Sequence, residues 1–180
     1  KLYLQINNQI GYILTMKISP GGGYLICGHS RGFISIYSLE LQKVISVQQL
    51  NNSGIYHLDY HSEKPELLLI SFLSNNFCVF DISSFKVLYT LPKNYTGYFA
   101  KFLNSTEIVS CGKNSVLKIS FDNQEFQNTS QIIQLKHNDK NRELFALGWS
   151  KPDIILTIDN SGDLILWDLN KSTNRIIYSD

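Results

Sequence analysis

The sequence predicts an all-β chain built from four repeats of about 43 residues, and three observations carry that expectation. The first is a strand motif that returns along the chain: Ile34-Ser35-Ile36-Tyr37-Ser38, Phe77-Cys78-Val79-Phe80-Asp81, Leu117-Lys118-Ile119-Ser120-Phe121 and Leu164-Ile165-Leu166-Trp167-Asp168. Aligning Tyr37, Phe80, Ser120 and Trp167 gives intervals of 43, 40 and 47 residues. A period in this range marks folds in which each repeat is one supersecondary unit. The second observation is an apolar i, i+3, i+5 arrangement upstream of each motif: Ile13/Met16/Ile18, Ile55/Leu58/Tyr60, Gly97/Ala100/Phe102 and Leu144/Leu147/Trp149. Its last member precedes the aligned motif position by 19, 20, 18 and 18 residues. The third is composition. Two alanines stand against 21 isoleucines, ten tyrosines and ten phenylalanines, a mixture that suits pleated, half-buried backbone and not helix.

Within each repeat the elements follow one order. The i+3 to i+5 step of the first strand is period-two alternation, with both residues on one face. A second strand follows: Tyr24 to Cys27, Leu67 to Ile70, Glu107 to Ser110 and Ile154 to Thr157. These are nearly continuous apolar runs, so both of their faces are expected to be covered. Turn chemistry separates the strands at Ser19-Pro20-Gly21-Gly22-Gly23, Ser74-Asn75-Asn76, Gly112-Lys113-Asn114-Ser115 and Asn160-Ser161-Gly162. The motif strand is third. A more polar fourth strand closes each unit: Lys43 to Val47, Lys86 to Leu91, Gln131 to Leu135 and Arg175 to Tyr178. The units run over about 11–50, 53–92, 95–136 and 142–180, and residues 1–6 read as the outer strand of a preceding unit. Four-stranded antiparallel units stacked face to face around an axis, as propeller blades, account for strands buried on both sides.

Two segments carry a resemblance to a known family. Ile18-Ser19-Pro20-Gly21-Gly22-Gly23-Tyr24-Leu25-Ile26-Cys27-Gly28 resembles the first half of a WD repeat, and Asn160 to Leu169, with its terminal Trp167-Asp168, resembles the second half. The resemblance implies a β-propeller of the WD-repeat family, with degenerate repeats, and covers essentially the whole chain. In that family a His, a Ser or Thr, an Asp and the Trp form a buried polar network in each blade. Here the position before the turn glycine holds Arg31 and Ser161 in the outer repeats, with Asn75 and Asn114 as the approximate equivalents in the middle two, and the Gly-His position is unfilled. Apolar packing is therefore expected to dominate. Because the family forms closed rings of seven or eight blades, four blades imply part of a larger ring, completed by the same or another polypeptide. An open stack would leave blade faces and strand edges in solvent.

Composition narrows the function. Net charge is +1, no run of like charge exists, and three arginines are few for phosphate recognition, which argues against nucleic acid. No stretch approaches 18 apolar residues, so no membrane-spanning helix is expected. Cys27, Cys78 and Cys111 lie inside apolar strands and read as reduced, buried thiols of an intracellular protein.

The search for chemistry returns little. His57 and His61 are four apart, but on a strand that separates them by about 13 Å, so no metal site is expected. Gly21-Gly22-Gly23 lacks the Lys-Ser/Thr of a phosphate loop, and no nucleophile elbow occurs. Asp159 and Asp163 read as a solvated turn. The chain is expected to be non-catalytic, without cofactor or metal.

What remains is loops on a rigid scaffold, the usual place for recognition. The loops leading into the first strands and the turns joining second and third strands share one end of a propeller. The candidate partner-binding residues there are His29, Arg31, Asn75, Lys93, Tyr95, Lys113, His137 and Arg142. Tyr95 and Arg142 lead, because Tyr and Arg are enriched at interface hot spots. The reading is a protein–protein interaction scaffold in a larger intracellular assembly. Asparagine richness hints at a cytoskeletal or ciliary setting. The alternatives are a propeller enzyme such as a hydrolase, and a peptide or modified-residue reader. The reader predicts an aromatic or acidic pocket at the central opening.

Overall fold

A computed structural model describes residues 8–121, 126, 129–151 and 153–179. The expected strand at residues 1–6 lies outside the described residues. Four four-stranded antiparallel sheets follow one another, each a meander in sequence order. The first holds β1 (Ile13–Ile18), β2 (Tyr24–His29), β3 (Phe33–Ser38) and β4 (Lys43–Gln49). The second holds β5 (Ile55–Tyr60), β6 (Leu67–Phe72), β7 (Asn76–Asp81) and β8 (Lys86–Thr90). The third holds β9 (Phe99–Phe102), β10 (Glu107–Gly112), β11 (Ser115–Phe121) and β12 (Thr129–Lys136). The fourth holds β13 (Leu144–Lys151), β14 (Ile154–Asp159), β15 (Leu164–Asp168) and β16 (Thr173–Tyr178).

Blades pack face to face through three apolar cores, and strand alternation sends side chains into them. Leu68 and Ile70 of β6 join Ile26, Ile34 and Ile36 of the first sheet. Leu67 and Leu69 point the other way, to Phe102, Ile108 and Ile119 of the third sheet. Val109 and Cys111 then meet Leu147, Ile155 and Trp167 of the fourth. Strand β6 is buried at all six positions, Ser71 included, as its nearly continuous apolar run predicts. By contrast β14, in the last blade, alternates between buried and more exposed positions, as a strand covered on one face should. Of the 17 exposed large hydrophobics among the described residues, all but Leu73 and Val87 lie in the first and fourth blades or in Tyr12 just before β1.

The register corrects one sequence alignment. Ile18, Tyr60, Phe102 and Trp149 pair with Leu25, Leu68, Ile108 and Ile155. Those pair in turn with Tyr37, Phe80, Ile119 and Trp167. The third-blade counterpart of Trp167 is thus Ile119, fully buried, and not Ser120. The cause is a shorter turn. Gly112 pairs directly with Ser115 across Lys113-Asn114, whereas the other blades use three-residue loops.

Those three loops also reassign Asn75. Gly32, Asn75 and Gly162 each donate a backbone hydrogen bond three residues back, to His29, Phe72 and Asp159, and each has positive φ. Asn75 therefore stands where the first and fourth blades have glycine, and Ser74 is the counterpart of Arg31 and Ser161. Asparagine is among the few side-chain-bearing residues that tolerate left-handed backbone.

Candidate functional site

The first strands of the blades, β1, β5, β9 and β13, contact one another in turn and are the inner strands, and backbone hydrogen bonds stitch the second-to-third-strand turns to the loops leading into them. Gly32 O accepts from Leu50 N at 2.9 Å, and Gly97 N donates to Asn75 O at 3.0 Å. Asn114 N donates to Arg142 O at 2.8 Å, and Asn160 N to Glu143 O at 3.0 Å. The first three turns are tied to the segment that leads into the next blade, and the fourth turn to the segment that starts its own blade, so this end forms a backbone-linked rim. Gly32 is required there. Its φ is +75°, and a Cβ would be driven into the Asn51 carbonyl.

Seven of the eight predicted contact residues lie in the turns and loops of this rim, His29 being the exception, and they differ in availability. Arg31, Lys93 and Lys113 are exposed, with Arg31 Nη1 donating to Gln9 O at 3.3 Å. Asn75 is partly buried. Tyr95 packs against the core between the second and third blades, which leaves only part of its ring for a partner. His137 lies with its ring centroid 6.4 Å from Trp167, and its Nδ1 accepts from Asp139 N.

His29 is not in an exposed turn. It ends β2, fully buried. Its Nδ1–H points at Gly11 O, 3.4 Å away, so Nε2 accepts from Ser35 Oγ at 2.8 Å. Burial lowers its pKa and keeps it neutral. The hydrophobic flanks Leu25-Ile26-Cys27 and Phe33-Ile34 were the signal for this burial.

Arg142 also differs from expectation. Its guanidinium pairs with both Asp159 and Asp163, and its side chain keeps only 14% exposure. Asp159 is no solvated turn residue: its Oδ1 accepts from Ser161 N and Asp163 N, both at 2.9 Å. Hydrogen bonds from Ser179 and Arg142 hold the Asp163 carboxyl below the usual range. Beside this cluster Trp167 Nε1 donates to Thr157 Oγ1 at 2.8 Å, with both residues buried. The fourth blade thus keeps a buried polar network, with an arginine joining it from the loop before β13. His61, also fully buried, is occupied structurally. Its Nδ1 accepts from Glu63 N and Lys64 N, and its Nε2–H donates to Ser105 O.

At the axial edge of the rim lies a cleft of about 290 Å³, lined by Tyr56, Leu73, Asn75, Tyr98, Glu143 and Phe145. Only Asn75 among these was a sequence candidate. The others sit at or beside the starts of β5, β9 and β13 or in the β6–β7 turn, and nothing local marks them as neighbours. Further along the inner strands His57 stacks on Phe99 at 4.0 Å, and Lys101 Nζ lies 5.7 Å from the ring centroids of both Phe99 and Trp149. Among the described residues no group of His, Cys, Asp and Glu is arranged to hold a metal ion. No helix there is long and apolar enough to cross a membrane.

No protein-family model matches the chain, and no curated protein matches its sequence. Solved structures do match. The β-propeller domain of Cps50 (Swd1) from Myceliophteria thermophila superposes with a TM-score of 0.74 at 16% identity, over 94% of this chain and 57% of that one. The WD40 repeats of RRP9 match at 0.68 and 16% identity, over 96% and 52%. A chain of the mitotic checkpoint complex matches at 0.69 and 16% identity, over 91% and 49%. The chain thus spans about half the length of the propellers it matches. Four meander sheets stacked through shared cores, with this likeness, show that the chain has the WD-repeat β-propeller fold and forms part of such a propeller.

Proposed function

We propose that this chain is a non-catalytic scaffold that joins proteins in a larger intracellular assembly, using the rim of turns and inner-strand loops as its contact surface. The observation that carries the reading is the rim itself. Cross-linked backbone fixes its shape, and Arg31, Lys93 and Lys113 stand exposed along it from successive blades. A rigid platform with side chains at set spacings suits recognition of another folded surface. The exposed apolar faces of the first and fourth blades are read as seats for further blades, from the same or another chain. A cytoskeletal or ciliary setting rests on asparagine richness alone.

Two experiments test this. The reverse-charge variant R31E/K93E/K113E should lose its partner in quantitative affinity capture while its melting temperature stays within a degree or two. Undiminished capture would remove the rim from the proposal. Light-scattering chromatography addresses the ring. Self-association of the chain alone, relieved in its native complex, is expected, and a stable monomer would refute the incomplete-ring reading. A peptide-reader role is favoured by one observation, the aromatic cleft beside Glu143.

A further inference from the structure

We infer that the cleft at the axial edge of the rim receives an arginine side chain presented by a partner protein. The inference rests on the scaffold reading and names the chemistry of its recognition.

Four features point to a planar cation. First, Tyr56, Tyr98 and Phe145 bring three aromatic rings to the cleft, and the faces of such rings attract cations. Second, Glu143 adds a carboxylate that no ion pair engages among the described residues, although Lys113 bridges Glu143 backbone to backbone. Its charge is felt at the site: after burial, it is the Glu143 charge that raises the Tyr98 pKa. Third, the same chain shows this chemistry already satisfied further along the inner strands. There Lys101 lies over Phe99 and Trp149, whereas no lysine or arginine is among the described residues that line the cleft with its rings and carboxylate. Fourth, about 290 Å³ falls just under the ~300–1,000 Å³ of small-molecule pockets, a volume that suits one side chain.

Guanidinium fits better than ammonium. It is flat, weakly hydrated and able to stack on a ring while pairing with a carboxylate. Asn75 also lines the cleft, and a side-chain amide of this kind can supply a second acceptor for the remaining N–H groups. The liners come from the second, third and fourth blades only, so the cleft is complete within this chain.

The test is a ¹H–¹⁵N NMR titration of the full chain with the peptide Ac-Gly-Arg-Gly-NH2 and its lysine and citrulline counterparts. Citrulline keeps the shape of arginine without its charge. The arginine peptide should shift the amides of Tyr98, Glu143 and Phe145, the lysine peptide should bind more weakly, and the citrulline peptide should leave these signals in place. Glu143→Gln, with an unchanged melting temperature, should weaken arginine binding by about tenfold or more, the loss expected for a hydrogen bond to a charged group. Tyr98→Leu should weaken it as well, through loss of the ring face. Citrulline or lysine binding as tightly as arginine would overturn the inference, as would shifts confined to other surfaces or indifference to Glu143→Gln. If the titration fails while the rim variant still abolishes capture, the scaffold reading stands and this inference alone falls.

Discussion

The Trp167–Thr157 pair allows a sharp test of whether the fourth blade is held by a specific polar contact or by apolar packing alone. Thr157 is 1% exposed and Trp167 fully buried, and the Nε1–Oγ1 distance is 2.8 Å. Thr157→Val keeps the side-chain shape and removes the acceptor, so no cavity opens. The indole N–H is then buried without a partner, which costs about 1–3 kcal/mol. Taking about 2 kcal/mol, a chain of this size loses about 4–8 °C in melting temperature. Trp167→Phe removes the donor instead and adds a packing loss from the smaller ring. The double variant leaves neither group unpaired. Its destabilisation should therefore fall short of the sum of the single losses by about 1 kcal/mol or more. The assay is thermal melting of all four proteins at one pH, followed by circular dichroism. A Thr157→Val variant as stable as the parent, or strictly additive losses, would refute the argument and leave the blade to apolar packing.

Three further outcomes are expected. Burial, with the Asp59, Lys17 and Lys101 charges as smaller influences, pushes the His57 pKa down to about 4, so the folded chain keeps it neutral. The unfolded chain protonates it near pH 6.5, so stability is full above that value and falls by up to about 3 kcal/mol as pH drops toward 4. Melts at pH 4.5, 6 and 7.5 should show that slope, and His57→Phe should flatten it; an unchanged slope would assign the effect to other groups. Gly32→Ala should destabilise by at least about 2 kcal/mol, because left-handed backbone costs an alanine about 1–2 kcal/mol before the Asn51 carbonyl is displaced. Chemical denaturation measures this, and a loss under 1 kcal/mol would mean that the rim yields easily. Burial pushes the Cys78 and Cys111 thiols up to about 12, so Ellman's reagent at pH 8 should find both unreactive until the chain unfolds. Prompt native labelling of either would show that the blade cores open readily.

What could be read without coordinates was whatever repeats locally. Strand alternation is a two-residue pattern, turn chemistry spans three to five residues, and both recur four times, so strand number, order and stacking followed from the chain alone. The nearly continuous apolar run Leu67 to Phe72, interrupted only by Ser71, announced a strand buried on both faces because no other placement shields both rows. Counting along the chain failed where one turn lost a residue. The Lys113-Asn114 turn shifts its third strand by one, and a single step exchanges the buried Ile119 for Ser120.

The candidate site was decided by tertiary structure. Arg142 looks like an interface arginine from its polar loop, but the carboxylates that claim it lie 17 and 21 residues away, on the far side of two strands. His29 looks like a turn residue until the register shows it ending β2 against Ser35. The cleft is the clearest case. Its walls run from residue 56 to residue 145 and meet only because three inner strands start at the same end of adjacent blades. Periodicity dictates which face a side chain takes within its own strand, and so the sequence by itself determined the blades. Which distant side chains then meet depends on how blades are rotated about a common axis, and only the packed cores between them set that rotation.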